Sequence, residues 1–207
     1  VTEEEWRAIF EVNLDGAFGE GGDKNLAALE AILETAAASA PAAQVQFGGG
    51  LRSPDAIGAA LETGIHRAII GTLAVEQQDV LETALSRFGA DKIAVGIDAR
   101  EGLVRVRGWK DGSGTEASEL ALQMRTLGLR TVIFTDVSRD GMGLGLNISA
   151  TRELADVSGL DVIASGGVHP LDDILAARDA GLAGAIIGRA LYEGTIDLKE
   201  ALRLLSP

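Results

Sequence analysis

The 207-residue chain contains no cysteine, which excludes disulfides, thiolate catalysis and cysteine-ligated metal. Histidine is scarce as well. His66 and His169 have no metal-ligand neighbour at useful spacing, so both read as ordinary packing residues. Aromatic residues make up only 4%, which leaves the core to Ala, Ile, Leu and Val. No apolar run reaches the roughly 18 residues of a membrane span, and no charged-then-apolar leader is visible. A cytoplasmic protein without a membrane partner is therefore the expectation. Basic residues are outnumbered 18 to 31, and the net charge of −13 argues against a nucleic-acid partner. A small anionic ligand is still compatible, because backbone amides at helix N-termini hold phosphate against an unfavourable global field.

Glycine, by contrast, is abundant at 27 residues and falls in a repeated pattern. VQFGGGLRSP at 45–54 and VIASGGVHP at 162–170 are related, with Gly50 and Gly167 lying 117 residues apart. Gly50 precedes Gly71 by 21 residues, and Gly167 precedes Gly188 by the same 21. Each copy runs from an apolar strand through a glycine turn and a helix-like stretch ending in Gly to a second strand ending in IIG. That is a βαβ unit used twice, which points to two related halves of one fold.

Strand-like runs end near Leu14, Phe47, Gly71, Ile97, Thr135, Ala164 and Ile187, with helix-like stretches such as PDAIGAALETG, EASELALQMRTLG and PLDDILAARDAG between them. Apolar rather than alternating strands, each followed by a helix, indicate a parallel sheet covered by helices. No linker or composition break appears, so residues 1–207 are expected to form a single (βα)8-type barrel domain. Two units precede the SGG strand but only one precedes the GGG strand. The repeat thus predicts that a first βα unit is missing, and a chain opening at Val1 fits a fragment. An open doubly wound sheet is the rival architecture.

In a (βα)8 barrel the ligand meets the turns at the C-terminal strand ends. Gly49 and Gly50, Gly71 and Thr72, Gly166 and Gly167, and Gly188 all fall there. Glycine lets the backbone approach an anion, and the next helix turn offers free N–H groups. Arg52 and Arg189 add forked cationic donors. Two such places suggest two phosphates on one ligand, although glycine also simply ends strands tightly. Asp98, in VGIDAREG, closes one strand, while Thr135, Asp136 and Asp140 lie in FTDVSRDG at the next. A carboxylate there can give or take a proton, or else serve as a turn or N-cap residue. Arg107 and Trp109, in RVRGW, are candidates for a lid, with Trp stacking on a heterocycle and Arg pairing with phosphate.

Taken together, GGGLRS, IIGTLAV, GIDAREGLVRVRGW, FTDVSRDGMGLGLN, IASGGV and AIIGRALYEG resemble the ProFAR isomerase family of histidine biosynthesis, from about Asn13 onwards. The sister cyclase family shares GGGIRS-like and DRDG-like motifs, but IIGTLAV, RGW and IIGRALYEG are similar to the isomerase. The resemblance implies an Amadori rearrangement of a substrate with a phosphate at each end. An acid opens the ribose ring to a Schiff base, and a base then removes the C2′ proton to give an enolamine that relaxes to the ketone. It implies the general-acid role for Asp98, with Thr135 and Asp140 assisting. Arg107 and Trp109 match a loop closing on substrate, and no metal or organic cofactor is implied.

Two departures stand out. The family's other catalytic Asp belongs to the first strand, the unit expected to be missing, and Asn13 stands where the family usually has Asp. The opening VTEEEWRAIFEVNLDGAF also resembles a segment of short-chain dehydrogenases. That reading fails elsewhere, since no G-x-G-x-x-G opens the chain and Tyr192 lacks a lysine four residues on. An altered N-terminus is the expectation that follows. The sequence therefore offers an isomerase, expected to be monomeric, and as alternatives a catalytically incomplete phosphate-binding barrel fragment or a cyclase of the sister family. The fragment alternative predicts association through unpaired strand edges.

Overall fold

The computed structural model describes residues 9–13, 22–39, 43–106 and 111–205. These divide between Val95 and Gly96 into two compact units. In the first, strands β1 (Ile9–Asn13), β2 (Gln44–Gly48), β3 (Arg67–Ile70) and the opening of β4 (Ile93–Arg100) pair in parallel, in chain order. Between them run α1 (Gly22–Ser39), α2 (Pro54–Glu62), α3 (Thr72–Glu76) and α4 (Gln78–Phe88). Phe47, Ile57, Leu81 and Ile93 are fully buried there. The sequence starts α2 deliberately. The Ser53 hydroxyl accepts from the Ala56 N–H at 3.2 Å, and Pro54 follows at the first helical position, where its missing N–H costs nothing.

The second unit takes up β4 and continues with β5 (Leu103–Val106), β6 (Asp111–Glu116), α5 (Ala117–Thr126), β7 (Thr131–Asp136) and α6 (Ile148–Ser158). It ends with β8 (Asp161–Ser165), α7 (Leu171–Asp179), β9 (Gly184–Ala185), α8 (Arg189–Tyr192) and α9 (Leu198–Leu205). Strands β4, β7, β8 and β9 are neighbours in that order, and β7 to β9 pair in parallel. All six residues of β7 are buried, as expected of a parallel strand covered on both faces. Ala164, Ile174, Ala177, Leu182 and Ala190 form a core beneath the last helices.

The seven strands read from the sequence all form. Two differ in extent. The last, β9, is only two residues long and ends at Ala185, short of Ile187. β4 does not stop at Asp98 but runs on to Arg100 and folds back as an antiparallel hairpin with β5, which β6 extends. The turn is Glu101-Gly102, both at positive φ (53° and 81°), the backbone of a two-residue hairpin turn matched to strand twist. The lid candidates Arg107 and Trp109 belong to the link between β5 and β6 and lie outside the described residues, as does most of the dehydrogenase-like opening. Among the described residues no helix is long and apolar enough to cross a membrane.

The 117-residue repeat is present in the backbone itself. β2 and β8 begin and end at equivalent positions, as do α2 and α7. The His66 N–H bonds to the Val45 carbonyl at 2.7 Å, and its counterpart Ala183 bonds to Val162 at 2.9 Å.

Candidate active site and phosphate turns

Each unit carries one copy of the glycine turn. In the first, Gly49 and Gly50 have φ of 116° and 69°, and in the second Gly166 and Gly167 have φ of 95° and 89°. Gly71 precedes α3 with φ −99° and ψ −116°, and Gly188 precedes α8 with φ −95° and ψ −105°. Both pairs therefore repeat in conformation as well as in sequence. A Cβ added to Gly71 or Gly188 would meet nothing within 4 Å. Space is kept open in front of both short helices. Arg52 follows its turn as an exposed side chain, and Thr72 is the first residue of α3.

Gly166 and Gly167 are needed for a second reason. A Cβ on Gly166 would lie 2.6 Å from the Asp136 carbonyl oxygen, and one on Gly167 would lie 2.9 Å from the carbonyls of both Arg139 and Gly145. The turn after β8 is thus pressed against the loop after β7, and the Gly145 N–H donates to the Gly167 carbonyl at 3.0 Å. Together they wall a cleft of about 400 Å³ whose lining includes Asp140, Gly166, Gly167, Gly188, Arg189 and His169. Five of these six were singled out from the sequence; His169 was read there as a packing residue. The Arg189 guanidinium is largely exposed, donating to the Gly141 carbonyl at 2.8 Å and pairing with Glu193 at 2.6 Å. It thereby ties the first turn of α8 to the residue after Asp140.

Asp98 and Thr135 occupy neighbouring strands. The Val137 N–H donates to the Ala99 carbonyl at 3.0 Å, which in a parallel ladder sets Asp98 level with Thr135. Thr135 is in turn the register partner of Ser165 on β8, a residue of the cleft wall. Side chains of register partners project from the same face, with strands about 4.8 Å apart. One row therefore runs from the cleft through Thr135 to the half-buried Asp98. Asp98 also pairs in register with Arg105 across the hairpin.

The sequence names Asp136 among the polar strand ends but gives it no role of its own, and Ser138, Arg139 and Asn147 carry no signal there. Asp136, 8% exposed, alternates with Thr135 along β7 and so leaves by the other face. Its carboxylate accepts from the Ser138 N–H at 3.0 Å, from the Ser138 hydroxyl, and from the Asn147 amide at 2.8 Å, while Arg139 Nε lies 3.7 Å away. Burial alone would push this carboxyl up. The hydrogen bonds from Ser138 and Asn147, with the Arg139 charge, outweigh it and hold the group below the usual aspartate value. Asn147 uses both ends of its amide, since its oxygen also caps α6 by accepting from the Ala150 N–H at 3.3 Å.

The family described as "Histidine biosynthesis protein" matches residues 1–197. The chain belongs to this family. A relative from Symbiobacterium thermophilum is 51% identical over 199 residues, covering 96% of this chain and 79% of the relative. One from Syntrophomonas wolfei is 48% identical, covering 93% of this chain and 78% of the relative. One from Gloeobacter violaceus is 46% identical, covering 95% and 75%. All three are named 1-(5-phosphoribosyl)-5-((5-phosphoribosylamino)methylideneamino)imidazole-4-carboxamide isomerase, which is ProFAR isomerase. Membership agrees with the parallel strands alternating with helices. The fold is of the (βα)8 TIM-barrel type.

Proposed function

We propose that Asp98, Thr135 and Asp140 perform, on a substrate held at its phosphates by the glycine turns, the aldose–ketose isomerisation for which the relatives are named. The chain is an isomerase of histidine biosynthesis, and its substrate is the phosphorylated imidazole-carboxamide ribotide ProFAR. What most supports the assignment of the turns is their repetition. The same glycine backbone occurs at Gly49 and Gly50 as at Gly166 and Gly167, and the same open helix start at Gly71 as at Gly188. A ligand with a phosphate at each end gives both copies the same task.

Asp98 protonates the ribose ring oxygen, so that the C1′–O bond breaks and a Schiff base forms. Removal of the C2′ proton then gives an enolamine, and reprotonation at C1′ completes the move of the carbonyl from C1′ to C2′. Thr135, level with Asp98, and Asp140, on the cleft wall, assist by holding the substrate oxygens. Arg52 and Arg189 supply forked donors to the phosphates. The reaction is placed in the cytoplasm, because a doubly phosphorylated intermediate does not cross a membrane unaided.

The test is turnover of ProFAR, followed by absorbance, with the purified chain and with Asp98→Asn. Isomerisation by the chain and its loss in the variant, with binding retained, is the expected result. Equal rates in both would remove Asp98 from the mechanism, and binding without turnover in either would favour the phosphate-binding barrel.

A further inference from the structure

Asp136 and Asn147 stand at the two ends of one loop, residues 137–147, which carries Asp140 between them. The carboxylate of Asp136 takes a hydrogen bond from Ser138 at the start of the loop and from Asn147 Nδ2 at its end. Arg139, its charged neighbour, donates from Nη1 to the carbonyls of Leu144 and Gly145 at 3.3 and 3.2 Å. The loop is closed into a ring by these side chains, and Asp136 leaves β7 by the face opposite the row of Asp98, Thr135 and Ser165. The outer wall of that ring is the phosphate turn: the Asp136 carbonyl lies against Gly166, and the carbonyls of Arg139 and Gly145 lie against Gly167. Asp173, in the first turn of α7, adds a clasp by accepting from the N–H groups of both Leu146 and His169, at 3.3 and 3.2 Å.

From this geometry we infer that Asp136 and Asn147 are positioning residues of the isomerisation. Their hydrogen bond sets the loop so that Asp140 and the Gly166–Gly167 phosphate turn are held in one fixed relation. Neither touches the substrate. They act through Asp140, so the inference rests on the reading that Asp140 serves the reaction. The chemical reason for an amide at position 147 is specific. Its oxygen must accept, to cap α6, while its nitrogen must donate to a buried carboxylate, and only Asn does both at that length. A distal phosphate bound at the turn then orders the loop at no further cost, and its binding is realised at the reacting end of the substrate.

The decisive variant is Asn147→Asp, which keeps the capping acceptor and the shape but replaces the donor with a second carboxylate. At about pH 8 both carboxylates are charged and repel, so the loop opens and kcat falls on the order of tenfold or more, with KM within about threefold. As the pH falls into the acid range, the pair takes up a shared proton and the acid O–H replaces the lost donor. The ratio of variant to native kcat then climbs back towards one. Asn147→Ala, whose folding is checked by its thermal midpoint, loses kcat to a similar degree and shows no such recovery. Native kcat for Asn147→Asp at pH 8, or parallel pH profiles for the two variants, would overturn the inference. Asp140→Asn separates the two levels. If it is inactive while the Asn147 variants are native, this inference alone fails, and if it is fully active, the reading of Asp140 fails and takes the inference with it.

Discussion

Thr135 and Ser165 are register partners on adjacent parallel strands, and the row they define extends through Thr135 to Asp98 on the next strand. Ser165 belongs to the cleft wall beside Gly166, so the row links the glycine turn of the second unit to the proposed general acid. The opposite face of β7 carries Asp136, which is occupied by its own loop. Strand alternation thus separates the residue proposed to meet the substrate from the residue proposed to shape the site.

Replacing Asp98 with Asn retains size and hydrogen bonding but removes the transferable proton. A general acid contributes about 10²- to 10⁴-fold, so kcat is expected to fall by at least about a hundredfold while substrate affinity changes little. Single-turnover kinetics with a separate binding titration distinguish the two. A proportional loss of affinity would mean that Asp98 binds rather than protonates.

Gly166→Ala and Gly188→Ala are expected to fail in different ways. The first forces a Cβ at φ 95° into the Asp136 carbonyl, and such backbone strain alone costs about 1–3 kcal/mol, so the thermal midpoint should drop by roughly 5 °C or more. The second adds a methyl group into open space in front of α8, costs less stability, and should weaken binding of inorganic phosphate. Equal thermal losses with unchanged phosphate affinity would argue that both glycines serve the fold alone.

Arg189→Met removes a charged forked donor from the cleft. Hydrogen bonds to charged groups are worth about 1.5–3 kcal/mol, so phosphate affinity measured by calorimetry should fall by about tenfold to a hundredfold. Glu193→Gln releases Arg189 from its ion pair, which is half-exposed, and should alter affinity far less. A larger effect from Glu193 than from Arg189 would reassign the anion contact.

Acid should weaken the fold partly through Asp136. Its carboxyl is held below the ordinary aspartate value of about 3.9, so its stabilisation is complete above that value and is lost as the pH falls through the depressed one. Asp136→Asn lacks that titration. The native chain should therefore have the higher thermal midpoint near neutral pH, with the gap narrowing in acid below about pH 4. A gap that stays constant down to about pH 2.5 would show that the hydrogen bonds of Asp136 do not depend on its charge.

Much of the architecture was legible before any coordinates. Apolar strands followed by helices marked the parallel sheet, and the matched intervals from Gly50 to Gly71 and from Gly167 to Gly188 marked the duplication. The hairpin after Asp98 was not foreseen, although Glu101-Gly102 between IDAR and LVRV is a turn signal. The strand that extends it, DGSGTE, is too polar and glycine-rich to read as one. His169 was read as a packing residue because a lone histidine carries no pattern, and the cleft it lines exists only in the folded chain.

The sequence by itself determined the parallel strands and their helices in order, the twofold use of one βαβ unit with its glycine turn, and the candidate acids at the strand ends, because each depends on local periodicity and spacing. Only the tertiary structure decided which residues share a face and which share a hydrogen bond. Register brought Ser165 level with Thr135, and the closing of an eleven-residue loop brought Asn147 to Asp136. Such pairings join positions with no common pattern in the chain, and they are fixed by the packing of one strand's turn against its neighbour's.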